Sequence, residues 1–320
     1  MKAMLIGGSG FVGKHLALHL ASSYDWEIVI TGLPGEREDV EHNGVGRFVP
    51  LNIMEKEQIQ ALLEKERPQY IFHLAAQSSV AASWASIDNT IDINIKGSTN
   101  LLEAIRAVKV YDPKILMIGS GEEYGRLPEG TRIVSETTVP RPANPYAMTK
   151  ATQTMLGQLY ANAYRMHIII ARPFNHIGPG QREGFVVSDF CKQVAEILAG
   201  KEPVVYVGNL TAARDFTDVR DVVRAYSLLI QHGIPGEIYN IGSGNAIPIQ
   251  TVLDEVIRLS GVEVSIKHDP KKFRPVDYPS IAADISKLQR IINWKPEIPL
   301  ARTITDSLSD WKFRLKRVTG

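Results

Sequence analysis

Cysteine is almost absent from this chain, with Cys191 alone among 320 residues. One thiol excludes an internal disulfide and fits a reducing compartment. With no motif around it, Cys191 is expected to pack in a helix rather than react. Long apolar runs are missing too. No stretch is long enough to span a bilayer, and Met1-Lys2-Ala3-Met4-Leu5-Ile6 is too short for a signal peptide, so it reads as a strand. Excess charge is also missing: 36 Lys and Arg against 35 Asp and Glu leave a net +1. No bulk field argues for nucleic acid or a membrane surface. There is no internal repeat and no low-complexity linker. The expectation is a cytoplasmic protein without a metal site.

What is present is ordinary for a globular protein, 44% hydrophobic and 22% charged, and long enough for one large domain or two. The first half alternates strand-like and helix-like segments, which implies a parallel sheet with helices on both faces. Strands are expected at 2–6, 27–31, 48–51, 70–74, 114–119 and 166–171. Helices are expected at 11–21, 55–67, 91–108 and 145–165. Beyond Arg172-Pro173 the alternation loosens: 174–181 reads as a loop, 185–199, 218–231, 249–259 and 300–316 as helices, and 238–241 as a strand. The fold class is α/β, a Rossmann-type doubly wound sheet with a smaller α/β lobe. Residues 1–172, with 216–241 returning to them, form the dinucleotide-binding part, and 173–215 with 242–320 the substrate lobe.

Gly7-Gly8-Ser9-Gly10-Phe11-Val12-Gly13 lies between the first strand and the first helix. Glycines there let the backbone turn and approach a pyrophosphate seated on the helix N-terminus. The next element of such a site is an acidic residue at the end of the second strand, binding the ribose hydroxyls. Thr31 stands there instead, and Arg37 lies just beyond. With no carboxylate to repel a 2′-phosphate and an arginine to pair with it, NADP(H) is favoured and NAD(H) is possible.

Tyr146 and Lys150 sit four apart in Ala143-Asn144-Pro145-Tyr146-Ala147-Met148-Thr149-Lys150, on one helix face. An ammonium beside the ring favours the phenolate, which makes the tyrosine a poised proton donor.

With these residues in place the chain resembles the extended short-chain dehydrogenase/reductase family, which acts mostly on nucleotide-diphosphate sugars. The landmarks run in family order: Gly7 to Gly13, His73-Leu74-Ala75-Ala76, Asn94-Ile95-Lys96-Gly97, Gly119-Ser120 with Tyr124-Gly125, Tyr146/Lys150, Arg172-Pro173-Phe174-Asn175, and Arg214-Asp215-Phe216. The resemblance implies Tyr146 as general acid/base, Lys150 tuning it and holding the nicotinamide ribose, and Ser120 bonding the sugar oxygen. It places Asn52, Ile53, Leu74, Ala75, Ala76 and Arg172 at the cofactor. Gln77, Glu122, Asn175, Arg214, Arg274 and Asp277 are implied at the nucleotide sugar, with Asn94 structural and His73 read as a satisfied core histidine. The alternative for Arg214 is a bracing ion pair with Asp218. The resemblance also implies a homodimer through the 91–108 and 146–165 helices, with Leu101, Leu102, Leu156 and Leu159 as apolar positions that either pair across it or belong to the core.

Family membership leaves reductase, 4,6-dehydratase and 4-epimerase open; a non-catalytic cofactor-binding sensor is a remote third class. In the dehydratases a donor residue and then a glutamate follow the catalytic hydroxyl. Here Gly121 precedes Glu122, and a glycine cannot protonate a leaving group. The nearest sub-group is therefore the GDP-4-keto-6-deoxy-D-mannose reductases, similar to GDP-mannose 4,6-dehydratases. That implies a GDP-sugar substrate, reduction at C4 and a GDP-D-rhamnose product.

Overall fold

A computed structural model of the chain describes residues 1–36, 44–273 and 280–319. Arg37, Arg274 and Asp277 lie outside the described residues.

Seven parallel strands form the central sheet: β1 (Lys2–Ile6), β2 (Glu27–Gly32), β3 (Arg47–Pro50), β4 (Tyr70–His73), β5 (Lys114–Ile118), β7 (Ile168–Pro173) and β11 (Ile238–Ile241). Their spatial order is β3-β2-β1-β4-β5-β7-β11, so the chain winds outward in both directions from β1. The crevice at that reversal is where open α/β sheets bind ligands. Strand alternation sends neighbours to opposite faces. Ala3 and Leu5 face the helices Phe11–Ser23 and Val219–His232, through Leu16, Leu20, Val222 and Leu229. Met4 and Ile6 face Lys56–Glu66, Gly97–Ala107 and Pro145–Tyr164, through Ile59, Leu63, Leu101, Leu102 and Tyr160.

Two expected elements differ. The long helix at 91–108 is not continuous: a helix Ile87–Ile91 runs into a π-turn Asp92–Lys96 before Gly97–Ala107. The bulge coincides with Asn94, whose Oδ1 accepts the Gln77 N–H (2.8 Å) and whose Nδ2 donates to Thr149 Oγ1 (2.9 Å). π-bulges of this kind occur where a functional side chain must be re-aimed. The 174–181 loop contains a short strand, β8 (Asn175–Ile177), paired in parallel with β10 (Ala213–Asp218).

The second sheet places β12 (Ala246–Pro248), β10, β14 (Ser280–Ala283) and β6 (Ile133–Val134) in that order, and β9 (Val204–Val207) pairs with β13 (Ser265–His268). Beside them, helices Val186–Leu198, Ile249–Ser260 and Leu300–Thr319 bury Cys191, Val194, Val252, Leu253, Ile304 and Trp311 together. Cys191 is fully buried, and burial pushes its thiol up to about 12, which suits packing. The division at 242 is not clean: Leu288 and Trp294 join the core under the central sheet. The Trp294 indole N–H donates to the Asp221 carbonyl (3.0 Å), and Asp221 Oδ2 accepts the N–H groups of Glu297 (2.9 Å) and Ile298 (2.8 Å).

Candidate active site

The glycine loop has the shape of a phosphate cradle. Gly7 has φ +77, and a Cβ on it would stand 2.6 Å from the Ala75 Cα. A Cβ on Gly13 would stand 2.2 Å from the Gly8 carbonyl oxygen, so the first helix can lie this close to the loop only with glycine there. Gly10 is different, with nothing nearer to its would-be Cβ than the Gly7 oxygen at 3.8 Å. Gly10 is also the N-cap of the helix and supplies no side-chain cap. Open space over uncapped N–H groups suits a pyrophosphate, so the residues present fit a dinucleotide. Phe11 and Val12 are part-exposed at this end, and Leu74, Ala75 and Ala76 line the neighbouring strand end.

Around the adenosine end the structure redistributes roles. The Thr31 hydroxyl is buried and donates to the Leu5 carbonyl (3.2 Å), so it turns beneath the loop instead of toward a ribose. A carboxylate does reach this place, from Glu36: its Oε2 accepts the Ser9 hydroxyl (2.6 Å) and the Leu33 N–H (2.8 Å). Asn52 Oδ1 accepts the Met54 N–H (3.0 Å), while Ile53 is a packing residue against Gly97.

The Tyr146 helix begins with Asn144 as N-cap, its Oδ1 accepting the Ala147 N–H (2.8 Å), and Pro145 in the first turn. This entry sets Tyr146 and Lys150 against the ends of β5 and β7. The Ser120 side chain acts on the Tyr146 phenol and favours its ionised form. Lys150 Nζ donates to the Ile118 carbonyl (2.7 Å) and to Gln153 Oε1 (2.8 Å). Gln153 Nε2 donates to Ser98 Oγ (2.9 Å), and Ser98 donates to the Asn94 carbonyl (2.6 Å). The Ser98 proton being so committed, His73 Nε2 must be the protonated nitrogen in its 2.8 Å contact with Ser98. His73 is thus only half satisfied, since Nδ1 has no partner. Burial holds the ring neutral, pushed down to about 3.

The electrostatic balance also departs from expectation. Burial is the largest influence on Tyr146 and raises it well above the usual tyrosine range; the Ser120 side chain opposes this, and Glu122 and Glu123 add to it. Lys150 is itself pushed down to about 8 by burial, against the pull of Glu123. Its ammonium is aimed at Ile118 and Gln153. The phenol is therefore held protonated, as a proton donor must be.

Arg172 stands at the end of β7. It is buried, donates from Nη2 to Glu123 Oε2 (2.7 Å), and lies over the Tyr124 ring at 4.7 Å. Gln77 spends its amide on Ser79 in its own turn and on Thr90 of the helix Ile87–Ile91. Glu122 Oε2 accepts from Asn144 Nδ2 (3.1 Å) at the mouth of the site. Asn175 and Arg214 lie on neighbouring strands, with Arg214 Nη1 donating to the Ala213 carbonyl (2.9 Å). The ion pair with Asp218 is made by Arg220 (2.7 Å). Leu101 and Leu102 are core, Leu156 is part-buried against it, and Leu159 faces outward. Thr149, Gln153, Ser98, Glu123 and Glu36 were not anticipated; Gln153, one turn after Lys150, is the one that helix spacing could have found. Among the described residues no group of His, Cys, Asp or Glu could hold a metal, and no helix is long and apolar enough to cross a membrane.

A dinucleotide cradle facing a hydroxyl, a phenol and an ammonium defines a short-chain dehydrogenase/reductase site on a Rossmann-type sheet. The family model for GDP-mannose 4,6 dehydratase matches residues 4–307, and the chain belongs to that family. It is 32% identical to the GDP-6-deoxy-D-mannose reductase of Pseudomonas aeruginosa, over 98% of each chain. Among solved structures it is similar to RMD from Pseudomonas aeruginosa complexed with NADPH, with a TM-score of 0.86, 32% identity and coverage of 98% and 99%. It is also similar to the Thermus thermophilus UDP-glucose 4-epimerase complex with NAD, with a TM-score of 0.85, 29% identity and coverage of 98% and 99%.

The low Lys150 value has a consequence for stability. The unfolded lysine keeps its proton up to about 10.5, whereas the folded one releases it near about 8. Between those values the unfolded state binds more protons, so this group's contribution makes stability rise with pH. Chemical denaturation from pH 8 to 10 should show a component of that sign, on the order of a few kcal/mol, that Lys150→Met lacks. Identical pH slopes for the two proteins would refute it.

Proposed function

We propose that the protein reduces the C4 keto group of GDP-4-keto-6-deoxy-D-mannose to GDP-D-rhamnose, using NAD(P)H. The observation that carries this reading is the buried Tyr146 phenol, on which the Ser120 side chain acts, beside Gly121. A Cβ on Gly121 would meet the Phe174 ring at 3.0 Å. Phe174 therefore takes the space in which a dehydratase would place its donor. The reduced nicotinamide, when bound, supplies the hydride. Tyr146 gives its proton to O4, Ser120 holds that oxygen, and Lys150, bonded to the Ile118 carbonyl and Gln153, braces the helix that carries Tyr146. Residues 1–172 with 216–241 carry the cofactor. Residues 173–215 and 242–320 carry the nucleotide sugar, with Asn175, Arg214, Arg274 and Asp277 at its pyrophosphate and sugar; planar guanidinium groups suit phosphate oxygens. Cys191, alone and buried, fits a cytoplasmic enzyme.

A second reading, a nucleotide-sugar 4,6-dehydratase or 4-epimerase, has support in Glu122, whose carboxylate is held at the site mouth by Asn144 where a C5 base would act. One assay separates them. With NADPH and the 4-keto sugar, reduced-nicotinamide absorbance should fall stoichiometrically, and Tyr146→Phe should lower kcat by about a thousandfold or more. Consumption of GDP-mannose with no net loss of cofactor would decide for the dehydratase.

NADP(H) is the favoured cofactor, supported by Arg37 and by the NADPH bound to the Pseudomonas relative. The Glu36 carboxylate at the loop is the observation in favour of NAD(H). Arg37→Ala should weaken NADPH binding roughly tenfold and leave NADH unchanged, while Glu36→Gln should strengthen NADPH. If neither substitution changes the NADPH-to-NADH ratio, the preference is set elsewhere.

We also infer a homodimer. Met148, Met155 and Leu159 form one exposed stripe of the Tyr146 helix, near exposed Trp84 and Ile87. Such apolar stripes mark association surfaces. Met155→Glu with Leu159→Lys should give a folded monomer by light scattering; a wild-type protein that is itself monomeric would refute the inference.

A further inference from the structure

Glu123 is a fully buried carboxylate for which the proposed reaction has no use. In the turn Gly121–Tyr124 its side chain folds back under the end of β5. Oε1 accepts the Ser120 N–H (2.8 Å) and the Thr154 hydroxyl (3.0 Å), and Oε2 accepts from Arg172 (2.7 Å). Burial raises the proton affinity of this carboxyl, but every neighbour donates and the Arg172 guanidinium opposes the rise, which holds the group as the anion. Three features of the sequence serve that placement. Gly119 clears room, since a Cβ there would stand 2.3 Å from Glu123 Oε1. Gly125, at φ +56, lets the chain leave the turn where a Cβ would fall 1.8 Å from the Arg141 carbonyl oxygen. Tyr124, stacked on Arg172, is tied by its hydroxyl to Asn240 Oδ1 (2.7 Å) on β11. The carboxylate thus joins β5, β7 and the Tyr146 helix at a single point beneath the serine.

We propose that Glu123 is a positioning residue of the active site: anchored by Arg172, its carboxylate holds the Ser120 backbone and places a fixed negative charge beneath the Tyr146/Lys150 pair. The proposal rests on the reading of Ser120, Tyr146 and Lys150 as catalytic. The Ser120 N–H is fixed from below by Glu123, and the Ser120 Oγ is fixed from the side by the Glu122 N–H (3.2 Å). The Ser120 backbone and side-chain oxygen are thus both held within the turn. The charged and titratable groups facing Glu123 are Arg172 from β7, Lys150 and Tyr146 from the helix, and Glu122 and Tyr124 from its own turn. Its negative charge opposes proton loss from both Tyr146 and Lys150.

The test is the pH dependence of kcat in the reductase assay with the full chain and NADPH, for two variants. Glu123→Gln keeps an acceptor for Ser120 but removes the anion and leaves the Arg172 cation, so both proton affinities fall. Reduction needs the protonated phenol, so the alkaline limb should move to lower pH with KM for NADPH unchanged. Glu123→Leu with Arg172→Met removes the buried pair together, a change that folded proteins tolerate, and so guards against a single variant that does not fold. It deprives Ser120 of its acceptor, and kcat should fall between about tenfold and about a hundredfold, with a smaller shift of the limb. A folded double variant with wild-type kcat, or a Glu123→Gln enzyme whose alkaline limb stays in place, overturns the proposal. Undiminished activity in Tyr146→Phe would overturn the catalytic reading beneath it instead.

Discussion

The Lys150 ammonium is buried where water cannot solvate it, and most of the active site is arranged around that cost. A buried charge must be hydrogen-bonded on every side or give up its proton. Two of its donors go to the Ile118 carbonyl and Gln153 Oε1. The first bond uses a carbonyl at the very end of β5, where the sheet stops consuming its own acceptors. The second commits Gln153, which commits Ser98, which in turn fixes the tautomer of His73 at the end of β4. The strand ends and the helix that present substrate-facing groups are therefore held in register by one cation. The value of about 8 marks how nearly that cation is lost.

The same dependence explains the broken helix. A continuous helix through Asn94 would have no reason to direct its side chain at both the Gln77 backbone and Thr149. The π-turn does so, and Thr149 in turn donates to the Tyr146 carbonyl (2.8 Å). Sequence periodicity passes over this, because the core positions Leu101, Leu102 and Ile105 all lie after the turn, in Gly97–Ala107. Thr149, Lys150 and Gln153 then act as a unit on successive turns: one ties the helix to the bulge, one carries the charge, and one solvates it.

The parallel sheet, the glycine loop and the Tyr146 helix were legible because each has its own local signal: a continuous apolar run in β1, buried on both faces; glycines at a strand-to-helix turn; Asn-Pro at a helix entry. The small strands were not. β6, β8 and β12 are two or three residues long and exist through partners far along the chain. The partner of Arg172 was hidden for a related reason. Arg172 stands at the end of β7, but its partner Glu123 comes from another strand-end turn, and only the fold brings them together. The carboxylate near the loop likewise comes not from the strand end at Thr31 but from Glu36 in the following turn.

The choice among reactions on this scaffold comes down to what surrounds Ser120 and Tyr146. Reduction at a ketone asks for one proton at one oxygen, and the site offers one phenol kept protonated by burial. Elimination asks for a second donor, placed on the residue after the serine. Gly121 withholds it, and Phe174 closes the space, since its ring lies within 3.0 Å of where a side chain would begin. Restoring that donor would require Phe174 to move. Phe174 is itself packed with Tyr124, and so with the Arg172–Glu123 pair beneath it. The residue that disfavours dehydration and the residues that position the serine are thus one packed group, so chemistry and rigidity at this site cannot be altered independently.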